Sequence, residues 1–125
     1  MRKLVEPVLE NVSTRDVFLF RVICANCETA YTNRPIRFSK AGITPTEESK
    51  KIIFNALYEQ ELIAARHSAV RSIAENMNSC PICKRLICNR CFLICEDLDM
   101  CIRCATDLQQ LGRPVLTGAA DITTE

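Results

Sequence analysis

The longest hydrophobic pattern in the chain is a stripe whose members alternate in spacing between three and four residues. No Gly or Pro interrupts residues 46–77, which predicts a helix of about nine turns that begins at Thr46. The stripe includes two polar positions and consists of Ile53, Ala56, Gln60, Ile63, His67, Val70, Ala74 and Met77. Heptad-like spacing of this kind indicates that one helix face packs against protein.

Two interpretations of this stripe remain open from the sequence. The first is that it packs against the rest of the same chain, as amphipathic helices usually do. The second is that it binds a partner helix or a second copy, because so long a helix can extend beyond a small core. The candidate partner surface is then Ile53, Gln60, Ile63, His67 and Val70.

Shorter β-prone segments lie on both sides of the helix. Residues 1–23 are predicted to be extended, and residues 31–38 to return as a second strand with Pro35 at a sheet edge. Residues 85–87 and 92–94 are predicted to form two more short strands. The combination of one long helix and several short strands predicts an α+β fold.

Composition narrows the classes of function. The formal net charge is +1 and aromatic residues make up only 6%, with no Trp. Near-neutral charge argues against broad electrostatic binding to nucleic acid or an anionic membrane. No segment approaches the length of a membrane span, and the first residues lack a long apolar signal core. We therefore expect a cytoplasmic protein with reduced thiols and no membrane association.

The strongest chemical signal is a set of four Cys-x-x-Cys pairs. They are Cys24/Cys27, Cys80/Cys83, Cys88/Cys91 and Cys101/Cys104. Each pair places two thiolates on one tight turn, and two pairs form a tetrahedral Zn²⁺ site. The sequence therefore predicts two structural Zn²⁺ ions per chain. Because a four-cysteine site leaves no coordination position for water or substrate, we expect no enzymatic activity.

The four pairs can combine in three ways. A sequential arrangement joins neighbouring pairs, a nested one joins the second pair to the third, and an interleaved one joins first to third and second to fourth. The interleaved arrangement has a structural logic, since a knuckle, a hairpin and a final helix would follow one another as in a treble clef. The N-terminus of that helix, predicted over residues 101–111, also favours the thiolate charge of Cys101 and Cys104.

The cysteine framework around residues 80–91 resembles the cross-brace zinc fingers, namely the FYVE and PHD types and more distantly RING. The chain also resembles small bacterial cysteine-rich zinc proteins, a likeness that implies no activity. It lacks the basic, His-containing run of FYVE domains and the Trp of RING and PHD domains. The cross-brace resemblance implies interleaved sites. Site 1 would be Cys24, Cys27, Cys88 and Cys91, and site 2 would be Cys80, Cys83, Cys101 and Cys104.

The predicted fold is a small α+β zinc-bound domain with treble-clef or zinc-ribbon-like hairpins and one long inserted α-helix. The two-zinc domain would cover residues 1–112, with the long helix at about 46–77 and the zinc-finger core at 80–111. The core helix would end at Gly112. Residues 113–125 would form a flexible C-terminal tail.

The remaining chemistry-bearing residues have more than one interpretation. Cys95 is a buried thiol, a redox-sensitive thiol or an alternative ligand that replaces Cys91. Four basic residues either offset the charge of the thiolate sites or contact nucleic acid; they are Lys84, Arg85, Arg90 and Arg103.

These patterns favour a non-enzymatic adaptor or scaffold that acts through protein–protein interaction, either with another protein or with itself through the helix at 46–77. Two alternatives stay open. One is a nucleic-acid-binding zinc-finger protein that uses the four basic residues. The other is a thiol-based redox switch centred on Cys95.

Overall fold

A computed structural model of the chain describes residues 1–115. Within that range the protein is a small α+β structure in which short antiparallel strands surround one long helix. The chain runs in the order of an N-terminal half with five strands, the long helix, and a cysteine-rich C-terminal half with five more strands. The long helix therefore connects two small β-rich halves.

The long helix, α2, spans Glu48–Ala74 and is shorter than predicted at both ends. It begins after Glu47, which is in extended backbone, and not at Thr46 as predicted. It ends before Met77–Ser79 because these residues form β6, which pairs with β7 at Leu86–Cys88. A strand pairing therefore ends the helix, at a place where the sequence contains neither Gly nor Pro.

The N-terminal half is more helical at its start than predicted. Arg2–Val5 form the short helix α1 and Glu6–Val8 a 3₁₀ turn, whereas residues 1–23 were expected to be extended. The Val5 side chain is fully buried and α1 packs against α2, so tertiary contact decides this local conformation. The strands that follow are β1 (Glu10–Asn11), β2 (Val17–Phe18), β3 (Phe20–Ile23), β4 (Ala30–Thr32) and β5 (Ile36–Arg37).

These five strands form two small antiparallel sheets. One has the order β1-β3-β4 and the other pairs β2 with β5. The segment predicted as one strand over residues 31–38 is divided between the two sheets near Pro35, which cannot donate a backbone hydrogen bond. Asn33 lies at the division, where its side-chain oxygen accepts a hydrogen bond of 2.7 Å from the backbone N–H of Phe20.

The C-terminal half contains the hairpin β6–β7, a three-stranded sheet of order β10-β8-β9, and the short helix α3 at Ile102–Asp107. The strands of that sheet are β8 (Phe92–Cys95), β9 (Met100–Cys101) and β10 (Gly112–Pro114). Helix α3 ends four residues earlier than predicted, and Gln109 then adopts a positive φ of 57°. This turn returns the chain to β8.

The predicted boundary at residue 112 therefore differs from the structure. Gly112 is a strand residue that pairs with Cys95, and it does not end a helix. Arg113 and Pro114 belong to the same strand rather than to the predicted tail. Residues 116–125 of that tail lie outside the described residues.

Gly112 lies where a side chain would clash. A Cβ atom at this position would lie 2.7 Å from both Cys95 Sγ and the Ile94 carbonyl oxygen. We expect Gly112→Ala to lower the free energy of unfolding by about 1–3 kcal/mol, because overpacking forces the two strands apart. Chemical denaturation would measure the change. Leu111→Ala, at a side chain that is 92% exposed, is the control, and an equal effect of both variants would contradict the close packing.

The core lies under one face of α2. Ala65, Ala69, Val70 and Ile73 are buried, and further residues towards the start of the helix are partly buried. At that end an aromatic cluster joins Phe18 and Phe38 to Phe54 and Tyr58 of α2, with ring centroids 5.1–5.9 Å apart. Four of the seven aromatic residues of the chain meet in this cluster.

Most of the heptad-like stripe does not pack against this core. Ile53 is 67% and Ile63 is 55% exposed, and Gln60 and His67 are exposed as well. The packed residues recur with the period of an α-helix, about 3.6 residues. They therefore lie on the side of α2 that is opposite the stripe. The expectation that the stripe packs on its own chain is therefore wrong for its first part. Val70 is only 6% exposed, so the structure removes it from the candidate partner surface.

Candidate metal centres

Two of the Cys-x-x-Cys pairs lie on knuckles with the same backbone geometry. In each knuckle the first Cys N–H donates to the residue five positions later, with Cys24 N to Thr29 O at 3.0 Å and Cys80 N to Arg85 O at 3.0 Å. The residue after the second Cys has a positive φ, 64° at Glu28 and 66° at Lys84. This left-handed residue closes the turn and points both sulfurs the same way.

The other two pairs lie on different elements. Cys88 ends β7 and Cys91 follows on a turn in which its N–H donates to the Cys88 carbonyl at 3.0 Å. Cys101 ends β9 and is also the N-cap of α3, where its sulfur accepts from the Cys104 backbone N–H at 3.4 Å. Local strand and helix ends therefore fix the spacing of these thiols.

The fold brings the eight cysteines together as two quartets, in the interleaved arrangement. The site 1 quartet is Cys24, Cys27, Cys88 and Cys91, and the site 2 quartet is Cys80, Cys83, Cys101 and Cys104. Within each quartet all four sulfurs lie within 4.8 Å of one another. The two sites thus share the cysteine-rich half, while site 1 also takes two residues from the N-terminal half.

Three sulfur–sulfur distances match those of a tetrahedral metal site. The Sγ atoms of Cys27 and Cys88 are 3.7 Å apart in site 1. In site 2, Cys80 and Cys104 are 3.8 Å apart, as are Cys83 and Cys101. A metal–sulfur distance of about 2.3 Å in a tetrahedron places sulfurs about 3.8 Å apart. Four thiolates in this arrangement suit zinc or iron, so each quartet could hold one metal ion.

Backbone N–H groups donate hydrogen bonds to the sulfurs and thereby stabilise thiolate charge. Cys24 Sγ accepts from the N–H of Asn26 at 3.4 Å and of Cys88 at 3.3 Å. In site 2, Cys80 Sγ accepts from the N–H of Cys101 at 3.3 Å. Donors aimed at sulfur favour the ionised form, which is the form that binds metal.

At least one thiol in each quartet has a lowered pKa, although burial acts to raise it. For Cys27, hydrogen bonds with Thr29 and neighbouring cysteines outweigh burial and lower the pKa to about 6. For Cys83, hydrogen bonds from Arg85 do the same and also lower the pKa to about 6. Each quartet therefore contains a thiol whose surroundings favour the thiolate, which is the form that binds metal.

At least one other thiol in each quartet has a raised pKa. Burial, followed by interactions with the other cysteines of its site, raises the pKa of Cys91 and of Cys104 to about 12. Without a cation, the like charges of one quartet cannot all form together. A metal ion removes that penalty because it deprotonates coordinating thiols outright. The electrostatics of both quartets therefore suit a bound cation.

Two of the four predicted basic residues bond to the cysteine framework. Arg85 Nε donates to Cys83 Sγ at 3.3 Å, and its other nitrogens also have partners. Arg90 Nη2 donates at 3.2 Å to Thr29 Oγ1, which in turn lies 3.2 Å from Cys27 Sγ. These contacts fit the interpretation that arginines offset thiolate charge. They leave Arg85 and Arg90 less available to nucleic acid, whose binding stays an untested prediction.

The other two basic residues have different positions. Lys84 is the left-handed residue of the second knuckle, and Arg103 is exposed on α3 between two ligands. Sequence reasoning missed Thr29, which occupies in the first knuckle the position that Arg85 occupies in the second. The signal that could have identified it is its location two residues after the second Cys of the pair.

Cys95 lies outside both quartets, and Cys91 rather than Cys95 joins site 1. Its backbone N–H donates to Asp99 Oδ1 at 3.1 Å and its sulfur is partly buried near the Leu93 carbonyl. The structure therefore does not support Cys95 as an alternative ligand. A role as a redox thiol remains a prediction.

These observations define a small α+β protein with two four-cysteine groups that could each hold a metal. No protein-family model, curated protein or solved structure matches the chain. No helix among residues 1–115 combines the length and apolar character needed to cross a membrane.

Proposed function

We propose that this protein is a non-enzymatic scaffold whose two Zn²⁺ ions hold a frame from which α2 presents a protein-binding surface. The observation that carries this proposal is the apolar stripe that α2 leaves exposed while its opposite face packs on the core. Four-cysteine sites are closed to water and substrate, which supports a structural rather than catalytic role. Reduced thiols suit a reducing compartment such as the cytoplasm.

The proposed frame is a treble clef with cross-braced zinc sites. Its support is the order of a knuckle at Cys80–Cys83, strands β7 to β9, and a helix that begins at the Cys101 N-cap. Zn²⁺ is the proposed ion because it favours a closed tetrahedron of thiolates and brings no redox chemistry. The bound ions would supply folding energy at sites where the core is otherwise small.

The proposed binding surface is the outer seam, defined as Ile53, Ala56, Gln60, Ile63 and His67. All five side chains are exposed, and they alternate in spacing by three and four residues along α2. That spacing forms a straight stripe suited to a second helix, which would pack at about 8–10 Å. The exposed Ile52 and Ile43 lie near one end of the seam and extend its apolar area.

The occupant that we propose is a second copy of this chain in antiparallel orientation. A two-fold axis between Ala56 and Gln60 places Ile53 opposite Ile63 of the other copy, so the seam is complementary to itself. The same axis brings the acidic first turn, with Glu48, near Arg71 of the other helix. Lys50 would approach Arg66 of the other copy, which is a like charge. A Glu6 carboxylate oxygen 4.0 Å from Arg66 Nε offsets that charge.

Sedimentation of the zinc-loaded full chain tests this interface. We expect a dimer, and we expect Ile63→Glu to weaken its dissociation constant by at least about a hundredfold. The reason is that a two-fold interface loses the buried isoleucine twice, at about 1.5–3 kcal/mol each. Leu111→Glu is the control, since Leu111 is exposed but lies outside α2, and the change should leave the dimer intact.

The outcomes separate the parts of the proposal. A wild-type chain that stays monomeric at about 100 μM would overturn the second copy as occupant, since specific interfaces usually hold at this concentration. A dimer that survives Ile63→Glu would place the interface elsewhere. Zinc content and helical circular dichroism should stay unchanged in both variants, because Ile63 contacts neither quartet.

A further inference from the structure

Among residues 1–115, Arg85 is the one side chain whose hydrogen bonds reach both metal centres. Its Nε donates to Cys83 Sγ at 3.3 Å and its Nη2 to Cys101 Sγ at 3.6 Å, both in the site 2 quartet. Its Nη1 donates to the Ala25 carbonyl oxygen at 2.9 Å. Ala25 lies between two ligands of the site 1 quartet, so a single guanidinium spans the two sites.

The Ala25 peptide is held on both sides by this one segment. Its carbonyl accepts from Arg85, and its N–H donates to the Leu86 carbonyl at 3.1 Å. Ala25 follows the ligand Cys24 and precedes Asn26, whose N–H donates to Cys24 Sγ. The position of the first knuckle, and hence of two site 1 sulfurs, therefore depends on the segment that carries Arg85.

The equivalent residue of the first knuckle makes no such bridge. Thr29 takes the same place relative to its Cys pair, and its short side chain contacts Cys27 Sγ and Arg90 within its own site. Only a long, forked donor can bind two sulfurs and a carbonyl at once. The hydrogen-bond bridge between the two sites is therefore made from the second knuckle and not from the first.

We propose that Arg85 couples the two metal centres, so that metal binding at one quartet raises the affinity of the other. A metal at site 2 fixes the Cys83 and Cys101 sulfurs as charged acceptors and so orients the guanidinium. The oriented guanidinium holds Ala25 and preorganises the first knuckle for its own metal. Linkage requires the effect to be reciprocal.

Zinc titration of the reduced full chain, followed by native mass spectrometry, measures the coupling as the population of the one-zinc species. With one equivalent of zinc, the wild type should contain mainly zinc-free and two-zinc chains. Arg85→Lys keeps the charge but loses the fork, and we expect it to accumulate one-zinc chains as the ratio of stepwise constants falls about tenfold. Arg85→Gln should do the same.

Arg103→Gln is the matched control, because Arg103 lies beside site 2 ligands on α3 without a recorded hydrogen bond to a sulfur. It should load zinc in pairs like the wild type. A statistical distribution in the wild type would overturn the proposal, as would pairwise loading in Arg85→Lys or its failure to bind zinc at all. The inference needs both metal sites but not the dimer, so a monomer that loads zinc in pairs supports it.

Discussion

Removal of zinc by an excess of a strong chelator is expected to unfold the chain in one cooperative transition. Cys24, Cys80, Cys88 and Cys101 have no exposed surface and lie within the hydrophobic core, so the metal sites and the core are one structure. Structural zinc contributes about 10–16 kcal/mol, as much as the whole stability of a typical domain at about 5–15 kcal/mol. Circular dichroism during chelation, with zinc added back, measures the transition.

Single ligand substitutions give the same result without a chelator. We expect Cys83→Ser and Cys101→Ser to be unfolded or insoluble, because a serine hydroxyl does not replace a thiolate as a metal ligand. Cys95→Ser is the matched control because Cys95 belongs to neither quartet, and it should stay folded with two zincs. A soluble Cys83→Ser chain that unfolds cooperatively would show that the fold does not depend on site 2.

Phe38→Ala is expected to cost about 3–5 kcal/mol of unfolding free energy at saturating zinc. Phe38 is 1% exposed and meets three other rings, those of Phe18, Phe54 and Tyr58. Its loss leaves a cavity between the N-terminal sheets and the start of α2, far along the helix from the cysteine-rich half. Denaturant titration followed by circular dichroism gives the change directly.

Tyr58→Phe is the control for this cluster. It keeps the ring and removes only an exposed hydrogen bond, which the Tyr58 hydroxyl donates to the Thr14 carbonyl at 3.3 Å. We expect a change below about 1 kcal/mol. If Phe38→Ala were equally mild, the metal frame alone would hold the first half of α2 in place. Both variants should keep two zincs, since neither residue touches a quartet.

The cysteine quartets and the aromatic cluster lie towards opposite ends of α2, the helix that carries the proposed binding surface. The proposed metal frame would anchor the region near Ile73 and Met77, and the aromatic cluster anchors the region near Phe54. The outer seam lies between these anchors on the opposite side of the helix. A rigidly held helix loses little entropy when its exposed face binds, which favours association.

Several features could be predicted from single residues and their spacing. The four Cys-x-x-Cys pairs indicated metal ligands, because that spacing has a short-range cause in one tight turn. The absence of Gly and Pro after Pro45 indicated a long helix, and α2 spans 27 residues. The strands around Ile87 and Leu93 were predicted from β-prone runs between cysteines, and the structure has them. Each of these features depends on neighbours in sequence.

Other features could not be predicted because distant residues decide them. The end of α2 depends on the pairing of Met77–Ser79 with Leu86–Cys88, and the return of Gly112 depends on β8. The helical start of the chain depends on burial of Val5 against α2. In each case a long-range contact outweighs local propensity.

The sequence by itself determined the ligand type, the number of Cys pairs and the existence of the long helix, since tight turns and uninterrupted helices need only local information. Only the tertiary structure decided which pairs form each quartet, because that depends on how the first knuckle meets the segment around Arg85. It also decided which face of α2 is buried. Two stripes on that helix are apolar, and the aromatic residues Phe18 and Phe38 pack on one and leave the other exposed.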